Sequence, residues 1–185
     1  MPGDAASTRR RILDAATAEF AAYGIAGARV DRIAAASGAN KAMIYKYFGS
    51  KDQLFDAVFD AIVVQTMDDV PITGDDLPGY AIRMWDWQRH RPELLRVAHW
   101  DRLERGGAGM TADVVRKATA DKTEAIADAQ RRGLVDDTLP PATLLTLILE
   151  LTRTGLDSPD PATHRTAIET AVGRLTTPPR TERKS

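Results

Sequence analysis

The sequence predicts an all-α fold: about nine helices in two domains. The first domain is a three-helix N-terminal unit containing a helix-turn-helix, and a fourth helix links it to a larger helical C-terminal domain. Three observations predict this. No run of alternating β-branched and aromatic residues closes on a hairpin turn. Apolar residues recur at helical spacing along nearly the whole chain. The stretch DDVPITGDDLPG concentrates Asp, Pro and Gly between two such periodic regions, which marks a boundary.

Each element follows from its residues. In RRRILDAATAEFAAYG, the residues Ile12, Ala16, Phe20 and Tyr23 form a buried stripe, and Gly24 ends the helix. RVDRIAAAS is a second, short helix with Val30, Ile33 and Ala34 on one side, and Gly38 permits the tight turn after it. NKAMIYKYF is the third, capped by Asn40 and stopped by Gly49. Ile44 and Phe48, four apart, share its buried face. The fourth starts at SKDQ, where Ser50 and Gln53 make a capping box, and runs to about Met67 with Leu54 or Phe55, Val58 and Ile62 inward.

Five helices follow: Leu77 to His90, Pro92 to about Glu104, Thr111 to Arg132, Pro140 to Leu156, and a last one opened by Asp160-Pro161 and carrying Ile168, Val172 and Leu175. The expected domains are residues 6–66, with the helix-turn-helix at about 29–48, and residues 75–176; residues 177–185 form a disordered tail.

Composition excludes several classes of function. With 185 residues the chain can build one good core, or a small module fused to a larger one. No apolar stretch nears the roughly 18 residues a membrane helix needs. The opening MPGDAASTRRR has no apolar segment after its charges, so no export signal is read and a cytoplasmic location is expected. There is no cysteine, which rules out disulfides and thiolate metal sites. His90 and His99 lack metal-site spacing, RGGAG lacks the context of a phosphate loop, and no serine sits in a nucleophile elbow. No enzyme, metal or cofactor is expected.

Charge points to a partner. Residues 1–51 hold eight Lys/Arg against four Asp/Glu, a balance of +4, and the remainder holds seventeen against twenty-two, a balance of −5. A basic front on an acidic body suits a polyanion reader on a carrier. In a helix-turn-helix the second helix of the pair enters the DNA major groove. Anchoring Ile44 and Phe48 turns Lys41, Met43, Tyr45, Lys46 and Tyr47 outward, where lysines neutralise phosphates and tyrosines reach phosphate, sugar or thymine methyls.

The segments ILDAATAEFAAYG, RIAAASG and IYKYFGSKDQLF together resemble the DNA-binding domain of the TetR family of bacterial transcriptional regulators, over about residues 8–62. The resemblance implies a dimeric repressor on a palindromic DNA operator, released by a small-molecule effector that the sequence does not identify. It implies DNA contacts at Arg29, Asn40, Lys41, Ala42, Met43, Tyr45, Lys46, Tyr47 and Lys51. Family members often carry a small hydroxyl residue and a glycine near positions 42 and 43, and histidine where Tyr47 stands. Ala42 and Met43 therefore imply readout through thymine methyls and DNA shape. The alternative is a small-molecule-binding or catalytic helical protein whose basic front is incidental.

Two further sites are expected in the body. All three tryptophans fall within sixteen residues, and Tyr80, Met84, Trp85, Trp87, His99 and Trp100 are candidates for an effector pocket. The eighth helix is apolar nearly all round and needs cover on every side. A two-fold homodimer through a four-helix bundle is expected, with Leu144, Leu147, Ile148 and Leu151 meeting Ile168, Val172 and Leu175.

Overall fold

The computed structural model describes residues 2–179, and among them the chain is helical without strands. Its helices are α1 (Pro2–Gly27), α2 (Val30–Ser37), α3 (Lys41–Phe48), α4 (Lys51–Asp69), α5 (Leu77–His90), α6 (Pro92–Arg105), α7 (Asp113–Arg131), α8 (Pro141–Leu151) and α9 (Pro161–Thr176). Of the tail expected at 177–185, residues 180–185 lie outside the described residues.

The chain divides into two compact units. One runs up to Gln65 and adds Arg91–Arg116; the other takes Thr66–His90 and Lys117 onward. The first unit thus recruits α6 from beyond the Asp/Pro/Gly stretch, an exchange that local pattern does not signal. Its core joins Ile12, Phe20, Ile33, Ile44, Phe48, Leu54, Phe55 and Val58 to Val97 of α6 and Val115. Phe20 and Phe55 meet edge to face at 5.1 Å, the arrangement that ring quadrupoles favour.

α1 is not straight. Gly24 leaves helical geometry at φ 70°, and one further turn follows to Gly27. The sequence expectation of a stop at Gly24 therefore becomes a break. Two causes are visible. The backbone there is left-handed, which glycine adopts without steric cost. A Cβ on Gly24 would also sit 3.0 Å from the Trp100 ring, so α6 approaches as closely as it does because no side chain intervenes. Tyr23, expected on the buried stripe, is exposed, with the Arg32 guanidinium 4.1 Å above its ring. Burial resumes beyond the break at Ile25 and Ala28, which join the same core as Ile12, Ala16 and Phe20.

In the second unit, α5 packs mainly on α9, and α8 joins both. Leu144, Leu145, Ile148, Ile168 and Val172 are buried within the single chain. α8 ends at Leu151, five residues short of the expected Leu156. The hydroxyls of Thr152 and Thr154 bond back to the carbonyls of Leu149 and Leu151, and Gly155 turns the chain at φ 59°. Arg89 then takes the Leu156 carbonyl at 2.7 Å.

Candidate nucleic-acid interface

α2 and α3 are each eight residues long and are separated by a turn at Gly38, whose φ of 69° completes the end of α2. The two helices are tied to α1 by one carboxylate. Glu19 accepts the backbone N–H of Arg29 at 2.8 Å, supplying the N-terminal cap that Arg29's own side chain does not provide. It also accepts Arg32 Nε at 2.8 and 3.1 Å on its two oxygens. Burial pushes the Glu19 carboxyl upward, but the Arg32 side chain, the Arg29 N–H and both positive charges outweigh it and hold the group below its usual value.

α3 begins with Asn40, whose Oδ1 accepts the Met43 N–H at 2.8 Å. That bond occupies the amide oxygen and leaves the amide nitrogen for a partner. Ile44 and Phe48 are buried, and Arg9 of α1 sits 5.3 Å over the Phe48 ring. The opposite face is open: Lys41, Ala42, Tyr45, Lys46 and Tyr47 are exposed and Met43 is half-buried. Asn40, Ala42, Met43, Lys46 and Tyr47 line a shallow depression of about 260 Å³. Tyr45 and Tyr47 are 45 % and 37 % exposed, unusual for large aromatics and suited to a surface that meets a ligand.

The cations of this face differ in what holds them. Lys41 pairs with Asp31 at 2.5 Å, a bond that raises the lysine's pKa. Among the described residues, Lys46 and Arg29 have no ion pair. Lys51 turns its ammonium toward the carbonyls of Ala26 and Ala28, at 3.4 and 3.3 Å, so it braces the α1–α2 corner. α4 opens as expected, with the Gln53 N–H donating to Ser50 Oγ at 3.1 Å.

Sequence reasoning missed two residues that set this geometry. One is Glu19, thirteen positions from Arg32. The other is Glu104 of α6, which accepts the Ala26 N–H at 2.7 Å and caps the turn beyond the break in α1. Both act across the chain, where no local spacing signals them.

The candidate effector residues are divided. Tyr80, Met84, Trp85 and Trp87 are buried in α5, in the second unit. His99 is exposed on α6 in the first unit. Trp100 belongs to the first unit as well and packs on α1, its Nε1 donating to the Ala21 carbonyl at 3.3 Å. The candidate dimer residues divide as well. Leu144, Ile148, Ile168 and Val172 are buried within the single chain; Leu151 and Leu175 are half-buried, and Leu147 is exposed. Among the described residues no cluster of His, Asp or Glu could hold a metal, and no helix is long and apolar enough to cross a membrane.

Known proteins match both parts of the chain. Residues 12–58 match the family model for bacterial regulatory proteins of the tetR family, and residues 76–175 match a tetracyclin repressor-like C-terminal domain. The HTH-type transcriptional repressor SCO4008 of Streptomyces coelicolor is 41% identical over 149 residues, covering 80% of this chain and 78% of that protein. The HTH-type transcriptional repressor NicS of Pseudomonas putida is 33% identical over 106 residues, 54% of this chain and 50% of that protein. The crystal structure of SCO4942 from Streptomyces coelicolor superposes with a TM-score of 0.81 at 34% identity, covering 93% of this chain and 99% of that one. With its α2–turn–α3 reader and both family domains in order, the chain belongs to the TetR family and is a DNA-binding transcriptional regulator, not an enzyme.

Proposed function

We propose that the protein is a cytoplasmic repressor that binds a palindromic operator as a two-fold dimer and leaves it when a small molecule binds the second unit. The observation that carries this reading is the two-sided α3: Ile44 and Phe48 inward, Tyr45, Lys46 and Tyr47 outward. Lys46 and Arg29 neutralise phosphates, while Tyr45 and Tyr47 pack on sugar or thymine methyls. Asn40 contributes its free amide nitrogen, and Lys41 divides its charge between Asp31 and phosphate. Ala42 and Met43 offer no bidentate donor, so sequence preference rests on apolar contact and DNA shape. Lys51 acts through the corner it braces.

The dimer reading rests on the outward faces of α8 and α9. Leu147 is exposed on α8, and Ala162, Thr166, Ala167 and Thr170 line a shallow groove on α9. Small side chains let a partner helix approach closely. Two-fold symmetry then sets the recognition helices one DNA turn apart, roughly 34–36 Å. The effector reading rests on the buried α5 residues Tyr80, Met84, Trp85 and Trp87. α4 runs from the reader unit into the second unit, and effector binding shifts the balance between two placements of it only by binding one more tightly.

Selection of bound duplexes from a random pool tests this directly. The expected product is an inverted repeat with half-sites one turn apart, bound with steep salt dependence. Recovery of no enriched sequence at low salt would sink the reading. Replacing Ala167 with arginine should yield a folded monomer by sedimentation and reduce operator affinity.

A further inference from the structure

Tyr80, Met84 and Gln88 recur every four residues and share one face of α5. The neighbouring face is already committed. Trp85 Nε1 donates to the Thr154 carbonyl at 3.0 Å, the Trp85 ring stacks on His164, and Asp86 pairs with Arg165 at 3.2 Å. Tyr80 instead meets α7, where the Lys122 ammonium lies 5.8 Å from its ring centroid.

This second face carries unmet polar demand. Tyr80 is fully buried, yet its hydroxyl has no hydrogen-bond partner. The side-chain amide oxygen of Gln88, Oε1, is buried without a donor. Among the described residues, no carboxylate pairs with Lys122, and burial pushes its pKa down. Burial likewise pushes the Tyr80 phenol up, outweighing the opposing Arg83 charge, so the phenol stays protonated and able to donate. Native interiors seldom leave a buried hydroxyl and a buried amide oxygen unanswered on one helix face, here beside a half-buried ammonium that meets only an aromatic ring.

We infer that Tyr80 and Lys122 form the anion-recognising end of an effector site in the second unit, and that the effector is an elongated, mainly apolar carboxylic acid. The phenol donates to one carboxylate oxygen and the ammonium pairs with the same group, a charge-assisted arrangement that neither residue achieves alone. Met84 lies between the two polar ends and supplies a polarisable, adaptable surface for the apolar body. Eight residues of helix rise by about 12 Å, which sets the span from the acid to a donor group whose hydrogen bond Gln88 Oε1 accepts. The inference rests on the ligand-responsive reading above and specifies its chemistry.

The probes are ω-phenylalkanoates of four, six and eight carbons, each paired with its neutral primary amide. Binding to the full chain is followed by tryptophan fluorescence. At least one acid should bind about tenfold or more tightly than its amide. Lys122→Met should reduce that ratio to near one, Lys122→Arg should retain it, and Tyr80→Phe should lower it several-fold. All three variants should still bind duplex DNA without probe, which controls for folding. A ratio near one for every pair in the unaltered chain overturns the inference, as does a ratio that survives both Lys122→Met and Tyr80→Phe. If an acid binds with the expected preference but leaves operator affinity unchanged, effector release fails and the anion site stands.

Discussion

Glu19 on α1 and Arg32 on α2 form a forked contact in which Arg32 Nε donates to both carboxylate oxygens, at 2.8 and 3.1 Å. The same carboxylate caps α2 through the Arg29 N–H, so one side chain sets where the helix-turn-helix leaves α1. Glu19→Gln should cost about 1–2 kcal/mol at neutral pH, the lower part of the range for a charged hydrogen bond because the guanidinium is partly in water. The folded-state pKa of Glu19 is depressed, so its contribution is present above the usual carboxylate pKa and disappears as pH falls through the folded value. Urea unfolding across pH 3 to 7 should therefore show the two proteins converging in acid. A gap that widens as pH falls would contradict the assignment.

The turn beyond the break in α1 depends on α6. Glu104→Ala removes the cap on Ala26 and should cost about 1 kcal/mol, with faster amide exchange at Ala26 and little change in the core. Gly24→Ala should cost more. It forces a left-handed backbone on a residue with a side chain and drives that side chain into Trp100 and the Glu104 carboxylate. A thermal midpoint unchanged by Gly24→Ala would show that the break is not needed.

Phe55 is fully buried against Phe20 and lies 5.2 Å beneath the Arg105 guanidinium. Arg105 is itself held by Asp56 at 2.7 Å. Phe55→Ala should cost about 3–5 kcal/mol by transfer and cavity effects together. Leucine should recover part of that loss in chemical denaturation.

On the DNA side, Lys46→Ala should weaken all duplexes alike and lower the salt slope by about one per reader. Tyr45→Ala should cost affinity with little change of slope. Asp31→Asn should act in the opposite direction. It frees Lys41 from its ion pair and removes a negative charge near the phosphates, so duplex affinity should rise at low salt. Weaker binding by Asp31→Asn would mean that the pair positions Lys41 rather than competing for it. Stability should hardly change, since both partners are exposed.

Periodicity alone made the helices and the anchors of α3 legible. Ile44 and Phe48, four apart, lie inward as their spacing predicts, because a short helix with one apolar stripe has one way to bury it. Tyr23 followed the same rule and is exposed, its ring under the Arg32 guanidinium of the next helix, a contact that periodicity does not register. α8 ended early for a comparable reason: the hydroxyls of Thr152 and Thr154 and the turn at Gly155 compete with helix in ways that an apolar count misses.

By itself the sequence determined the helical class, the reader with its two-sided third helix, and the family, since these rest on local spacing and contiguous motifs. Tertiary structure alone decided that Trp100 packs on α1, that Lys51 braces a corner, that Glu19 caps α2 across the α1–α2 reversal, that Glu104 caps backbone far away in sequence, and that Tyr80 and Lys122 meet. Each of these is a contact between residues dozens of positions apart or across a chain reversal. Their partners are chosen by how whole helices pack, and helix packing leaves no mark on the residues immediately beside them.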